Sequence, residues 1–179
     1  MYPELALDAI SGLEFSSVLD IGSGGGSHAT HFRDLNKYVT TVSLEPPADF
    51  VGDYMLAEFG KHGLVWASHV LEHQLNPNLF LKKCFKECGR YFCVTVPPLK
   101  HEIVGGHVSL WNAGLLLYNM VLAGWDCADA KVMTEGYNIS VLVEKKKAEL
   151  PTLRMDSGDI ELLAEFFPMD VQQGFDGRI

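Results

Sequence analysis

What this chain has little of narrows its function first. No long hydrophobic run is present: the most apolar stretch, Leu115 to Ala123, is broken by Asn119 and falls well short of the roughly 20 residues that span a bilayer. No membrane role is therefore expected. Cationic residues are scarce as well, with 14 Lys and Arg against 23 Asp and Glu and a formal net charge of −9. Binding to a phosphate backbone draws mainly on Lys and Arg, so a nucleic-acid partner is disfavoured. The four cysteines, Cys84, Cys88, Cys93 and Cys127, lack the density and regular spacing of a secreted disulfide framework. Cys84 and Cys88 stand one helical turn apart with no third ligand placed beside them, so no zinc site is expected there. The N-terminus carries Glu4 and Asp8 and no basic region, unlike a signal peptide. Reduced thiols and a cytoplasmic location are the expectation. Internal repeats and low-complexity linkers are also absent.

What is present is alternation. Ser17 to Ile21 is a short apolar run that enters a glycine-rich turn, and Ala29, Phe32 and Leu35 then recur at helical spacing. A Thr- and Val-rich strand, Val39 to Leu44, stops at Glu45 before Pro46 and Pro47. Leu64 to Ser68 reads as another buried strand, Pro77 to Cys88 as a helix and Tyr91 to Val96 as a strand halted by Pro97 and Pro98. A long apolar helix over Asn112 to Ala123, closed by Gly124, leads to strands near Asp129 to Met133 and Ile139 to Glu144. The Lys145 to Lys147 run reads as a solvated end of the sheet. Strands alternating with helices predict an α/β, Rossmann-like, doubly wound and mostly parallel sheet with helices on both faces. Residues 1–147 would form that domain, with Leu5, Ala9 and Leu13 on one short covering helix. Residues 148–179 would be an extension packed on it, with a last helix over Gly158 to Phe167 capped by Asp156 or Ser157.

The strongest local feature is Val18-Leu19-Asp20-Ile21-Gly22-Ser23-Gly24-Gly25-Gly26, a buried strand that runs into a turn almost bare of side chains. Such a turn admits a ligand close to the backbone, and the helix that follows presents free N–H groups to an anionic or carboxylate-bearing ligand. Glu45 follows roughly 20 residues on, where an acid at a strand end accepts hydrogen bonds from both hydroxyls of a ribose. Together these features specify a nucleoside. The nicotinamide dinucleotide fingerprint, G-x-G-x-x-G, fits less well, because Ser27 takes its last glycine position.

On Asp20, Gly22, Gly24 and Gly26, which spell D-x-G-x-G-x-G, and on Glu45, the chain resembles the class I S-adenosylmethionine-dependent methyltransferases. The resemblance runs from Ser17 to Glu144 through Gly52-Asp53-Tyr54 and Ser68-His69-Val70-Leu71-Glu72-His73. It implies S-adenosylmethionine as cofactor, bound by Asp20, Gly22, Ser23, Gly24, Gly26, Glu45, Asp53 and Ser68, with Asp53 at the adenine. It also implies that the His69 loop borders the cofactor's methionine portion and the substrate opening, which gives His69 and Glu72 access to a reaction centre. His73 is either part of that centre or a helix-entry residue bonded to backbone.

His69 to His73 also spells H-x-x-E-H, a zinc-peptidase motif. The motif sits where a strand leaves the sheet, so the helical face that binds the metal is not completed, and no metal is expected. A second histidine segment, Gly105-Gly106-His107-Val108-Ser109-Leu110-Trp111, should converge on the same pocket, because ligands bind beyond the carboxyl ends of parallel strands. His107 could act there as a general base or, with Trp111, only pack the loop; His101 is expected to be exposed without a role. The reading is a methyltransferase acting on a small molecule; the aromatic and Gly-rich tail from Phe166 to Gly177 resembles tails on methyltransferases of saccharide pathways, and that resemblance implies a sugar or glycan intermediate. A short N-terminal segment leaves the pocket open, so a partner subunit, a homodimer or a bulky substrate could complete it. The alternatives are a non-catalytic methyltransferase-like binding module and a nicotinamide-dependent reductase.

Overall fold

The computed structural model describes residues 2–178. Strands β1 (Ser17–Ile21), β2 (Tyr38–Ser43), β3 (Phe50–Val51), β4 (His62–Ser68), β5 (Cys88–Val96), β6 (Lys131–Glu135) and β7 (Asn138–Glu144) form one seven-stranded sheet in the order β3-β2-β1-β4-β5-β7-β6. All neighbouring pairs from β3 to β5 are parallel, and β7 runs antiparallel to both β5 and β6. Central strands buried on both faces need apolar residues at nearly every position, which is why they read as continuous runs in the sequence. The period of two then sorts those residues. Val18, Leu64, Trp66, Tyr91 and Cys93 belong to one core, and Leu19, Ile21, Val65, Ala67, Phe92 and Val94 to the other.

Helices α1 (Glu4–Ser11) and α2 (Ser27–Asp34) cover the first face through Ala6, Leu7, Ile10, Ala29 and Phe32. Helices α3 (Pro77–Glu87) and α4 (Ala113–Leu122) cover the second through Phe80, Leu81, Cys84, Leu116, Leu117 and Met120. The layered α/β architecture expected from the alternation is present. Short helix α5 (Asp159–Leu162), the 3-10 turn Ala164–Phe166 and the tail beyond them lie against the second face, where Leu163, Phe166 and Phe167 join the core. The tail closes on α4 by backbone contact, with the Gly114 N–H donating to the Asp176 carbonyl at 2.8 Å.

Several local expectations need correction. The expected face of the first helix was Leu5, Ala9 and Leu13, but α1 ends at Ser11 and buries Ala6, Leu7 and Ile10, leaving Leu5 exposed. The final helix is split, and its N-cap is Gly158 instead of Asp156 or Ser157. Asp159 explains the difference: its buried carboxylate accepts the amides of Arg154, Met155 and Asp156, so the preceding loop is tied by the helix's own first residue. Cys88, expected to end a helix, begins β5. The double winding is also thinner than expected, because residues 44–49 return directly from β2 to β3 with no helix. Asp49 makes that short return possible, since its Oδ2 accepts both the amide and the hydroxyl of Thr41, at 2.9 and 2.8 Å. No helix of the described residues is long and apolar enough to cross a membrane.

Candidate functional site

The carboxyl ends of β1, β2 and β4 open onto a cavity of about 660 Å³. Its floor is the glycine loop. The amides of Gly22 and Ser23 both donate to the Val42 carbonyl, at 2.8 and 3.0 Å, and this folds the loop over the end of β2. Gly22, Gly24 and Gly26 have φ of 75°, 49° and 79°, so the alternate glycines of the motif fall on left-handed positions that other residues adopt at a cost. A Cβ added at Gly24, Gly25 or Gly26 would meet nothing within 4 Å, so this stretch of backbone faces open space. Gly22 and Gly24 line the cavity with Ser43, Leu44, Gly52, Asp53, Tyr54, Met55, His69, Val70 and His73. Glu45 is exposed and lines an adjoining hollow with Gly24, Gly25, Pro46 and Pro47.

Asp20 stands behind the loop, 1% exposed, and its Oδ2 has no hydrogen-bond partner among the described residues. Burial pushes its pKa up to about 7, against the lowering effects of Arg33 and the Ala29 backbone. An acid with a raised pKa in the folded state opposes folding once pH climbs above its unfolded value near 3.8, and the full cost is present above about pH 7. Asp20→Asn should therefore stabilise the ligand-free chain by roughly 2–4 kcal/mol at pH 8 and have little effect at pH 4. Urea unfolding at both pH values checks this, and equal effects would remove the buried-charge account.

Asp53 and Tyr54 hold the opposite wall. The Asp53 carboxylate accepts the Met55 amide at 2.8 Å and caps the 3-10 turn Tyr54–Leu56. The Tyr54 hydroxyl donates to Glu87 Oε2 at 2.8 Å, and burial pushes its pKa far above the ordinary phenol range. Glu87 Oε1 accepts the Phe59 amide at 3.1 Å and the Lys83 ammonium at 2.6 Å. Lys83 lies 4.6 Å over the Tyr54 ring and also donates to the Ala57 carbonyl. Nothing in the local sequence pattern distinguished Glu87 or Lys83 from ordinary surface charges of an amphipathic helix.

The two histidine segments do converge. The carbonyl of Glu72 accepts the amides of Val108 and Ser109, which pins the loop after β5 to the 3-10 turn Leu71–His73. His73 Nδ1 donates to the Gly106 carbonyl at 2.8 Å, and the His73 and His107 rings meet edge to face at 4.9 Å. His73 thus lines the cavity and bonds to backbone at once. His69, at φ 56°, places Nδ1 3.1 Å from Glu72 Oε1 and Nε2 2.8 Å from Asn138 Oδ1. The Glu72 hydrogen bond raises the His69 pKa above its ordinary value. With an acceptor at each ring nitrogen, His69 is suited to be a charged imidazolium that orients Glu72, with no lone pair free to take a proton. Asn138 was not singled out in the sequence and is the side chain that completes this arrangement. Ser23, Gly26, Ser68, Glu72 and His107 do not line the cavity, and the buried Oγ atoms of Ser23 and Ser68 have no partner among the described residues.

No family model matches the chain, and no curated protein sequence matches it. Solved structures do. A Burkholderia thailandensis 1,6-didemethyltoxoflavin N1-methyltransferase, solved with that compound and S-adenosylhomocysteine, superposes with a TM-score of 0.65 at 16% identity, covering 81% of this chain and 80% of the other. An S-adenosylmethionine-dependent methyltransferase of Archaeoglobus fulgidus gives 0.61 at 14% identity, with 79% and 94% covered. The Synechocystis magnesium protoporphyrin IX methyltransferase with bound S-adenosylmethionine gives 0.62 at 13% identity, with 79% and 76% covered. At such identities the likeness is one of fold: this chain has the Rossmann-like fold of the class I methyltransferases.

Proposed function

We propose that this chain binds S-adenosylmethionine and transfers its methyl group to a small molecule. The observation that carries the reading is the cavity at the end of β1, floored by side-chain-free backbone and flanked by acids at both ends. The residues fit the group. About 660 Å³ accommodates a nucleoside bearing an amino-acid arm. Glu45, beside Gly24 in the adjoining hollow, is placed to accept from ribose hydroxyls. Asp53 on the opposite wall is placed for an exocyclic amine, and buried Asp20 for the amino group of the methionine arm, directly or through water. Ser23, Gly26 and Ser68 act in this reading from outside the lining, by shaping the loop and the end of β4.

Bound there, the cofactor supplies an electrophilic methyl group on a sulfonium. The protein's part is then to hold donor and acceptor in line, which lowers the barrier without covalent participation. His69, held by Glu72 and Asn138, positions Glu72. With no ion bound, His73 and His107 rather than His69 carry the lone pairs available for proton removal from a weakly nucleophilic acceptor. Leu75 and Leu79, both exposed at the cavity margin, offer an apolar seat for that acceptor. Such a seat suits a planar or partly apolar molecule, and the lining gives no reason to prefer a saccharide.

Calorimetry with S-adenosylhomocysteine and NAD tests the reading. Binding of the former at micromolar Kd, with Glu45→Ala weakening it at least tenfold, is expected, since each hydroxyl-to-carboxylate bond contributes roughly 1.5–3 kcal/mol. Preferential binding of NAD would overturn it. A cofactor-holding module without turnover is the second reading, favoured by the engagement of both His69 ring nitrogens. Methyl transfer to any acceptor in a radiolabel assay would remove it.

A further inference from the structure

We infer that Glu72, His73 and His107 form a binding site for one divalent first-row transition ion of the manganese-to-zinc series. Their ligand atoms all lie within 4.8 Å of one another, although His107 comes from a different loop. Two imidazoles and one carboxylate make a donor set that suits such ions better than magnesium or calcium, which take oxygen ligands. The peptidase spelling H-x-x-E-H is not what builds the site. Glu72 and His73 are adjacent on a 3-10 turn, and the third ligand comes from the loop after β5, so no helical face is needed.

Two observations point to an ion. Glu72 is fully buried, and its Oε2 has no hydrogen-bond partner among the described residues, which is costly for a carboxylate oxygen unless a cation satisfies it. His73 donates Nδ1–H to the Gly106 carbonyl, so its Nε2 lone pair is free and stands 3.9 Å from Glu72 Oε1. A backbone acceptor on the far nitrogen is how metal-binding imidazoles are oriented. Glycine at position 106 favours this bond. Its φ is 80°, and a Cβ there would sit 3.2 Å from His73 Nδ1. His69 bonds Glu72 Oε1 and fixes the carboxylate's orientation, so Oε2 is the oxygen left without a partner. Bonds of about 2.1 Å to a shared ion need the three side chains to close by roughly 1 Å. The His73 and His107 rings, which already meet edge to face, are partly exposed, and their two loops would make that movement together.

The ion would lie at the margin of the cofactor cavity, since His73 lines it. Under the methyltransferase reading, on which this one point rests, the ion would bind an ionisable oxygen of the acceptor and lower its pKa.

The test is equilibrium dialysis of the full-length, tag-free, chelator-treated chain against Zn2+, Mn2+ and Mg2+ separately. One equivalent of Zn2+ or Mn2+ is expected, with Mg2+ bound more weakly. Glu72→Gln, His73→Asn and His107→Asn should each lower affinity at least tenfold, whereas His101→Asn, at an exposed position, should not. The ion should also raise the Tm of the unaltered chain and leave that of His107→Asn unmoved; this variant lies on a surface loop, so it remains informative if Glu72→Gln fails to fold. Absence of stoichiometric Zn2+ and Mn2+ binding, or full retention of the ion by His107→Asn, would overturn the site. Titration of the metal-free chain with S-adenosylhomocysteine reports separately on the cofactor reading, so either conclusion can fail alone.

Discussion

Gly22→Val is expected to abolish measurable binding of S-adenosylhomocysteine, a loss of at least 100-fold, while the chain still folds. Two effects coincide at this position. Its φ of 75° is left-handed, which costs a β-branched residue about 1–2 kcal/mol or more. Its Cβ would also run into Cγ2 of Val70, the residue that precedes the turn carrying Glu72 and His73. Relief of that collision must move either the glycine loop or the His69 loop, and both border the cavity. Gly24→Ala separates ligand exclusion from strain. A Cβ there meets no protein atom within 4 Å, so it would occupy ligand volume while disturbing the fold only through its φ of 49°. Affinity should then fall with a Tm change of only a few degrees. Calorimetry paired with thermal melts reads both variants, and near-normal affinity in Gly22→Val would mean the ligand does not approach this loop.

Glu87→Ala should lower stability by about 3–5 kcal/mol, the usual cost of removing one partner from a buried ion pair. For a chain of this size that corresponds to a fall in Tm on the order of 10 °C. Glu87 is 1% exposed and satisfies three donors at once: the Tyr54 hydroxyl, the Phe59 amide and the Lys83 ammonium. Without it, Lys83 is left largely buried as an uncompensated charge beside the Tyr54 ring, its remaining partner being the Ala57 carbonyl. The damage should also reach the ligand. Tyr54 and Met55 line the cavity just after Asp53, so loosening this wall should weaken S-adenosylhomocysteine binding beyond the loss of stability. The double substitution Lys83→Met with Glu87→Leu should retain more stability than Glu87→Ala, because it removes both charges and keeps apolar volume. A Tm within 2 °C of the parent for Glu87→Ala would show that the network is not holding the wall.

The sequence expectations succeeded or failed for definite reasons. β1 was expected at Ser17 to Ile21 and is found there, because a parallel strand buried on both faces is apolar at most positions, here Val18, Leu19 and Ile21, and the glycines mark its end. β3, only Phe50–Val51, escaped notice because two residues carry no periodicity. No helix follows β2 before β3. The Asp49 to Thr41 hydrogen bonds hold a short return there that hydrophobic spacing does not describe. His69 was a candidate by position. Its engagement by Asn138 at the start of β7 turned it from a proton acceptor into an orienting group.

By itself, then, the sequence determined the layered α/β order, the glycine loop and the acid that follows it. Each of these is local: strand burial, left-handed turns and strand-end acids leave marks within a few residues of where they act. The sequence also led to the convergence of the two histidine loops; only the tertiary structure decided that the Glu72 carbonyl pins the loop after β5, that His107 meets His73, and that Glu87 anchors the wall behind Asp53. Those contacts join residues far apart in the chain through single hydrogen bonds and ring contacts, and such contacts leave no pattern in either segment alone.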